Sequence, residues 1–122
     1  MSSPHQGAEP AHDATVVAAR VAASLAQANG AGLDQQSMLV LKVCEEAGEA
    51  AAAWIGVRGQ NPRKGVTHTH DDVAGELADV ALAALVAIAG IGLDPGRVLD
   101  DCVAKVTKRL IDRPDALIHP PA

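Results

Sequence analysis

The chain has 122 residues, of which 48% are hydrophobic and 20% are charged, and this length and composition are typical of one folded domain rather than a disordered polymer. Its net charge of −5 opposes binding to nucleic-acid phosphates, and its single aromatic residue, Trp54, excludes a row of stacking side chains for single strands. Two cysteines are too few for a disulfide framework and match no CxxC metal spacing, so we expect Cys44 and Cys102 to be free, buried thiols.

Alanine dominates the composition. The chain has 25 alanines and one aromatic residue, which favours helices over a β-sandwich or barrel. We predict an all-α domain of four helices over 13–113, flanked by flexible, proline-bearing tails at 1–12 and 114–122. The first tail lacks the basic flank and apolar core of a secretion signal, so we expect a cytoplasmic protein.

The first two predicted helices end at glycines. The first covers about 13–28, where apolar residues recur four positions apart. The second is predicted to begin after Asp34, which has the right side chain for an N-cap, and to end near Ile55, ahead of Gly56 and Gly59.

The last two predicted helices begin at stronger signals. Thr69 and Asp72 have the spacing of a capping box, and the helix that follows is expected to end near Gly90. Asp94 followed by Pro95 is an N-cap with a proline in the first turn, which predicts the start of the fourth helix.

The third segment is apolar enough to raise the question of a membrane span. Its uncharged stretch, 80–93, has 14 residues, whereas a bilayer needs about 20. We therefore predict a buried core helix and no membrane association.

A single copy of this chain has little material for a core. Alanine buries little area, and apolar residues occur on more than one face of the second and third segments. We therefore predict a homodimer whose helices join in one bundle.

Three carboxylates share one arc of the second helix. Glu45, Glu46 and Glu49 are close in azimuth, because successive residues of a helix turn by about 100°. Leu39 and Val43 lie on the same azimuth as Glu46, so the acidic arc borders the apolar side of the helix.

A second acidic stripe lies on the third helix. Asp72, Glu76 and Asp79 are spaced i, i+4, i+7, and the residues after Asp79 are apolar, so we expect that carboxylate to be buried and to need a cationic partner. Lys42 alone cannot balance four or more carboxylates. An all-oxygen site suits a hard divalent cation, Mg²⁺ with Mn²⁺ as the alternative. The competing interpretation is a solvated acidic face with accidental spacing.

EEAGE at 45–49, followed after 26 residues by ELAD at 76–79, resembles the EExxE and ExxD signature of the MazG-like, all-α nucleoside triphosphate pyrophosphohydrolases. The resemblance implies a MazG-like helical domain and Mg²⁺-dependent hydrolysis between the α- and β-phosphates, which yields a monophosphate and pyrophosphate. It also implies a dimer or tetramer, and it assigns four metal ligands, which are Glu46, Glu49, Glu76 and Asp79.

Other roles follow from the same resemblance and from the chemistry. Glu45, or the second oxygen of Glu49, is the candidate catalytic base that orients a water molecule. Lys105 and Arg109 match the basic phosphate-binding positions on the last helix of the family. Lys42, one turn before the acidic string, is a further candidate for substrate binding.

The loop before the third helix contains three basic residues, Arg58, Arg63 and Lys64. Either they form a clamp on the β- and γ-phosphates, or they are ordinary solvated loop residues. His68 and His70 could be a soft-metal pair or nucleotide contacts, but ordinary loop and cap residues are favoured. For Trp54, a place in the core is favoured over a base-stacking role.

Two other functions stay open at this point. One is a pyrophosphohydrolase of phosphoribosyl-ATP or of another nucleotide derivative. The other is a catalytically weak helical module for regulation or interaction, which retains the acidic site only for binding. Pyrophosphate release from a panel of nucleotides separates these classes.

Overall fold

The computed structural model describes residues 13–113, which form four α-helices: α1 Ala14–Asn29, α2 Leu33–Arg58, α3 His70–Gly90 and α4 Pro95–Ile111. These residues contain no strand, so the prediction of an all-α fold is confirmed. The tails predicted at 1–12 and 114–122 lie outside the described residues.

The capping signals in the sequence mark the starts of α3 and α4 correctly. The Thr69 side chain accepts from the Asp72 backbone N–H at 3.2 Å, and the Asp72 carboxylate accepts from the Thr69 N–H at 2.8 Å. Asp94 Oδ1 accepts from the Gly96 N–H at 2.9 Å, with Pro95 in the first turn. Each side chain satisfies backbone donors that have no partner inside the helix.

The predicted ends of α2 are wrong at both sides. Gly32 is the N-cap, so Asp34 lies in the first helical turn rather than before it. The helix also continues through Gly56 and stops at Gly59, whose φ of 59° is left-handed. A glycine inside a helix weakens it without ending it, whereas a residue with positive φ cannot continue it.

Helix α3 lies between α1 and α2 and runs antiparallel to α2. Gln36 Nε2 donates to the Gly90 carbonyl at 3.5 Å, and Leu39 contacts Gly90, so the start of α2 lies beside the end of α3. At the other end, the rings of Trp54 and His70 meet edge to face with centroids 5.7 Å apart. This arrangement brings the two acidic arcs to the same level of the helix pair.

The core of the single chain is small. Its main cluster of buried residues consists of Ala18, Ala22, Leu39, Leu85, Val86 and Ala87. An 18-residue window of α3 has a mean hydropathy of 1.8 and is only 17% buried. By length and composition this helix would also qualify as a membrane span, but one such helix is weak evidence, because the core helices of soluble proteins pass the same test.

Several apolar side chains predicted to be buried are exposed. Both Cys44 and Cys102 are free and exposed, and Trp54 is 46% exposed, which corrects the expectation of a core tryptophan. Because α2 and α3 are antiparallel, their exposed stripes fall on one side of the pair, opposite the acidic arcs. We call this surface the outer apolar face and define it by Val40, Cys44, Ala47, Ala51, Trp54, Leu77 and Ala81.

Helix α4 contacts the bundle only near its start. Pro95 is buried against the ends of α1 and α3, but every described residue from Leu99 onward is exposed. Its apolar side chains are not covered by the other residues of 13–113, and these include Val103 at 55% and Val106 at 44% exposure.

Candidate functional site

Helices α2 and α3 bring three carboxylates together. One carboxylate oxygen from each of Glu46, Glu49 and Glu76 lies within 4.8 Å of the other two. The Glu46 side chain is only 14% exposed, because it shares its azimuth with the buried Leu39, whereas Glu49 is exposed. We call these three residues the carboxylate cluster.

Glu76 gives the cluster its strongest chemical signature. Its Oε2 atom is buried and has no hydrogen-bond partner among the described residues. An orphaned, buried carboxylate oxygen is costly, and two further carboxylates beside it increase the repulsion. The donor set fits a hard divalent cation, which would satisfy this oxygen and neutralise the cluster.

The electrostatics of Glu49 express the same repulsion. The negative charge of Glu46 raises the pKa of Glu49 above its ordinary value, and partial burial and the charge of Glu76 raise it further. Glu49 therefore accepts a proton more readily than an isolated glutamate does.

Lys42 is the cation paired with the cluster. Its Nζ lies 3.2 Å from Glu46 Oε1 and 3.4 Å from Glu45 Oε1, and the hydrogen bond to Glu46 is the main cause of the raised pKa of Lys42. Glu45 lies outside the cluster, with its side chain 62% exposed. One ammonium leaves most of the negative charge uncompensated.

The expectation that Asp79 is buried is wrong. Its side chain is exposed and lies outside the cluster, although it lines a cavity of about 280 Å³ together with Lys42 and Glu46. Of the apolar residues after Asp79, Leu85, Val86 and Ala87 are buried, whereas Asp79 borders the cavity and stays exposed. Hydrophobic neighbours along a helix therefore did not imply burial here.

The rest of this cavity is aliphatic. Its walls are Val21, Leu25, Leu39, Leu82, Ala83 and Val86. An apolar recess with charged groups at one end is the usual form of a small-molecule site, and its size suits one ring of a ligand. The recurrence of apolar residues four positions apart in the first helix includes Val21 and Leu25, but it gave no sign that they enclose a space.

A larger cavity of about 830 Å³ lies between α1 and the junction of α3 and α4. Its lining is mostly alanine and glycine, and its one charged residue, Asp94, already caps α4. Nothing in this lining combines charges or donors as the carboxylate cluster does, so we assign the chemistry to the smaller cavity.

The structure separates the predicted basic residues. Lys105 and Arg109 are exposed on α4, and among residues 13–113 neither forms an ion pair with a carboxylate. Arg58 and Arg63 also lie outside the cluster, while Lys64 lines a separate cavity at the end of α2. Of the six basic candidates, only Lys42 contacts the acidic site within one chain.

The two histidines do not form a metal pair with the carboxylates. His68 Nδ1 lies 2.8 Å from Thr67 Oγ1 in the loop, and His70 contacts the edge of Trp54. The Trp54 ring belongs to the outer apolar face and is absent from the lining of the aliphatic cavity. It therefore does not stack on a ligand in that cavity.

We expect Glu49→Gln to stabilise the metal-free protein at neutral pH. A carboxyl whose pKa is raised on folding contributes stability below its unfolded pKa, near 4.5, and loses that contribution as pH rises through the folded value. Thermal melts with EDTA should therefore show a difference in Tm between variant and wild type that grows from about pH 4 to pH 7. A pH-independent difference would contradict the repulsion inferred for this site.

The chain was compared with protein-family models, with curated proteins and with solved structures, and no match was found in any of the three.

Proposed function

We propose that this protein is a Mg²⁺-dependent nucleoside triphosphate pyrophosphohydrolase, which cleaves between the α- and β-phosphates and releases a monophosphate and pyrophosphate. The observation that carries the proposal is the carboxylate cluster with its orphaned Glu76 oxygen. The EExxE and ExxD spacing supports the same reaction, since it resembles the signature of a family with this activity.

Glu46, Glu49 and Glu76 would hold the metal. Asp79, one helical turn after Glu76 and at the edge of the same cavity as Glu46, is the fourth carboxylate that the resemblance assigns. Mg²⁺ bound by these residues supplies positive charge for the phosphate oxygens of the substrate. The protein needs no covalent nucleophile for such a reaction, because positioning and charge neutralisation provide most of the catalysis.

Glu49 is a better candidate for the general base than Glu45. The pKa of Glu49 is raised above its ordinary value, and its exposure leaves it accessible to water. One oxygen of Glu45 is instead occupied by the Lys42 ammonium at 3.4 Å, and Glu45 lies outside the cluster. In this proposal Lys42 also orients Glu46 and offers a positive charge to the substrate.

Metal binding is the first requirement to test. Mg²⁺ or Mn²⁺ should raise the Tm of the wild-type protein, and the rise should grow with concentration. The free energy of unfolding should increase by about 2.7 kcal/mol at one hundred times Kd. Glu76→Gln should abolish the shift, whereas Asp101→Asn, an exposed carboxylate on α4, should retain it. An unchanged wild-type Tm at millimolar metal would argue strongly against the site.

The reaction itself is tested by pyrophosphate release from a panel of ribo- and deoxyribonucleoside triphosphates. Hydrolysis in ¹⁸O water should place the label in the monophosphate, because attack at the α-phosphorus leaves pyrophosphate unlabelled. Label in pyrophosphate, or orthophosphate as the direct product, would reject the proposed bond. Metal binding without turnover of any nucleotide would favour the regulatory module, and turnover restricted to phosphoribosyl-ATP would favour the other hydrolase.

A further inference from the structure

The loop between α2 and α3 forms a further cavity with the end of α2. The Thr67 N–H donates to the Gly56 carbonyl at 3.0 Å, which folds the loop back onto the end of α2. The resulting space of about 270 Å³ has a mostly apolar lining that includes Ala52 and Ile55, and its polar end is formed by Asn61, Lys64, Thr67 and His68. A Cβ at position 56 would overlap the His68 ring and Thr67 Oγ1, so this close approach depends on a glycine.

Hydrogen bonds within the loop occupy side-chain acceptor atoms of this lining and leave side-chain donor groups available to a ligand. Asn61 Oδ1 accepts from the Arg63 N–H at 3.1 Å, so the side-chain NH₂ of Asn61 remains as a donor. With the His68 imidazole in its Nε2–H tautomer, Thr67 Oγ1 donates to Nδ1 across 2.8 Å and Nε2–H remains.

The polar end of the cavity is therefore suited to an anion. The Lys64 ammonium adds a positive charge to the two remaining donors, and the lining contributed by residues 13–113 contains no Asp or Glu. The loop N–H groups of Gly59, Gln60 and Thr67 bind the last carbonyls of α2, which reduces the negative potential of that helix end. Phosphate groups are usually bound by hydrogen-bond donors together with a cation, at sites that have no carboxylate.

This cavity lies in line with the carboxylate cluster along α2. Ala52 and Gly56, which line this cavity, lie on the same arc of α2 as Glu45 and Glu49. They follow Glu45 by seven and eleven residues. The rise from Glu49 to Gly56 is about 10 Å at 1.5 Å per residue. The aliphatic cavity lies on the other side of the cluster, toward Lys42.

We propose that the loop cavity binds the terminal phosphates of the substrate, which leave as pyrophosphate. The nucleotide then lies along α2, with its nucleoside in the aliphatic cavity, its scissile bond at the carboxylate cluster and its β- and γ-phosphates on Asn61, Lys64 and His68. This inference rests on the proposed function for the identity of the ligand. The anion site itself does not depend on catalysis.

Binding of inorganic pyrophosphate in EDTA tests the anion site without metal or turnover. The Kd from calorimetry should rise at least tenfold in Lys64→Ala, which removes the cation, and in Asn61→Asp. The second variant keeps the oxygen that accepts from the Arg63 N–H and replaces the free NH₂ with a negative charge. Lys108→Ala, which removes an exposed lysine on α4 outside the cavity lining, is the matched control and should weaken binding much less.

Two results would overturn the anion site. Equal losses in Lys64→Ala and Lys108→Ala would show that only the overall charge of the protein acts on pyrophosphate. Pyrophosphate that leaves the ¹⁵N shifts of the Asn61 side-chain amide and the His68 ring unchanged would show that it binds elsewhere or does not bind.

The orientation of the substrate is tested separately. Lys64→Ala and Asn61→Asp should raise KM for nucleoside triphosphates at least tenfold, yet leave the inhibition constant of the monophosphate product unchanged, since that product lacks the terminal phosphates. An unchanged KM would reject the orientation. If wild-type protein hydrolyses no nucleotide but still binds pyrophosphate through Lys64, the proposed function fails and the anion site stands.

Discussion

Glutamine at Glu46, Glu49 or Glu76 should reduce pyrophosphate release from nucleoside triphosphates by at least about 10²–10³-fold, as is typical when one element of electrostatic stabilisation is removed. The three carboxylates lie within 4.8 Å of one another, so they would act on one cation and the loss of any one disrupts the shared site. The change keeps the shape of the side chain, and far-ultraviolet circular dichroism should show unaltered helicity.

Double variants add a sharper test. Any two of these glutamine substitutions together should reduce the rate of pyrophosphate release little more than one alone, because residues that act as a unit have non-additive effects. Asp79→Asn should also lower activity, as the resemblance implies, but its exposed carboxylate should contribute little to the stability of the metal-free protein. Additive losses, or full activity in Glu76→Gln, would contradict a shared metal site.

We predict that the protein is a homodimer and that arginine at both Ala47 and Ala81 makes it monomeric. Both residues lie on the outer apolar face, where burying two uncompensated guanidinium groups against a partner copy would be costly. That face is opposite the acidic arcs, so dimerisation through it would leave both sites accessible. A stable dimer buries about 1,200–2,000 Å² of surface, and this face runs along two helices of the chain.

Multi-angle light scattering at micromolar concentration measures the change directly. The monomeric variant should also melt at a lower temperature, since the core cluster of a single chain is small and partly alanine. Ser24→Arg, an exposed position on α1 outside this face, should remain dimeric. A wild-type protein that is monomeric under these conditions would refute the prediction, and one that is tetrameric would indicate a second interface.

The sequence alone determined the features that depend on neighbours along the chain. Caps are formed by side chains two or three residues from their backbone partners, so Thr69, Asp72 and Asp94 could be identified without tertiary information. The shared arc of Glu46 and Glu49 follows from helical pitch in the same way. These local relations were sufficient for the all-α class and for the expectation that the two acidic helices face each other.

Only the tertiary structure decided which arcs of the helices are covered. Periodicity shows that residues share a face, but burial depends on whether another helix reaches that face. Thus Glu76 rather than Asp79 has the buried oxygen, and Trp54 and Cys44 are exposed because none of the four helices within 13–113 covers them. The loop cavity likewise could not be predicted from neighbouring residues, because it forms only when Thr67 and His68 fold back onto Gly56. Contacts between residues eleven and twelve positions apart depend on the path of the chain.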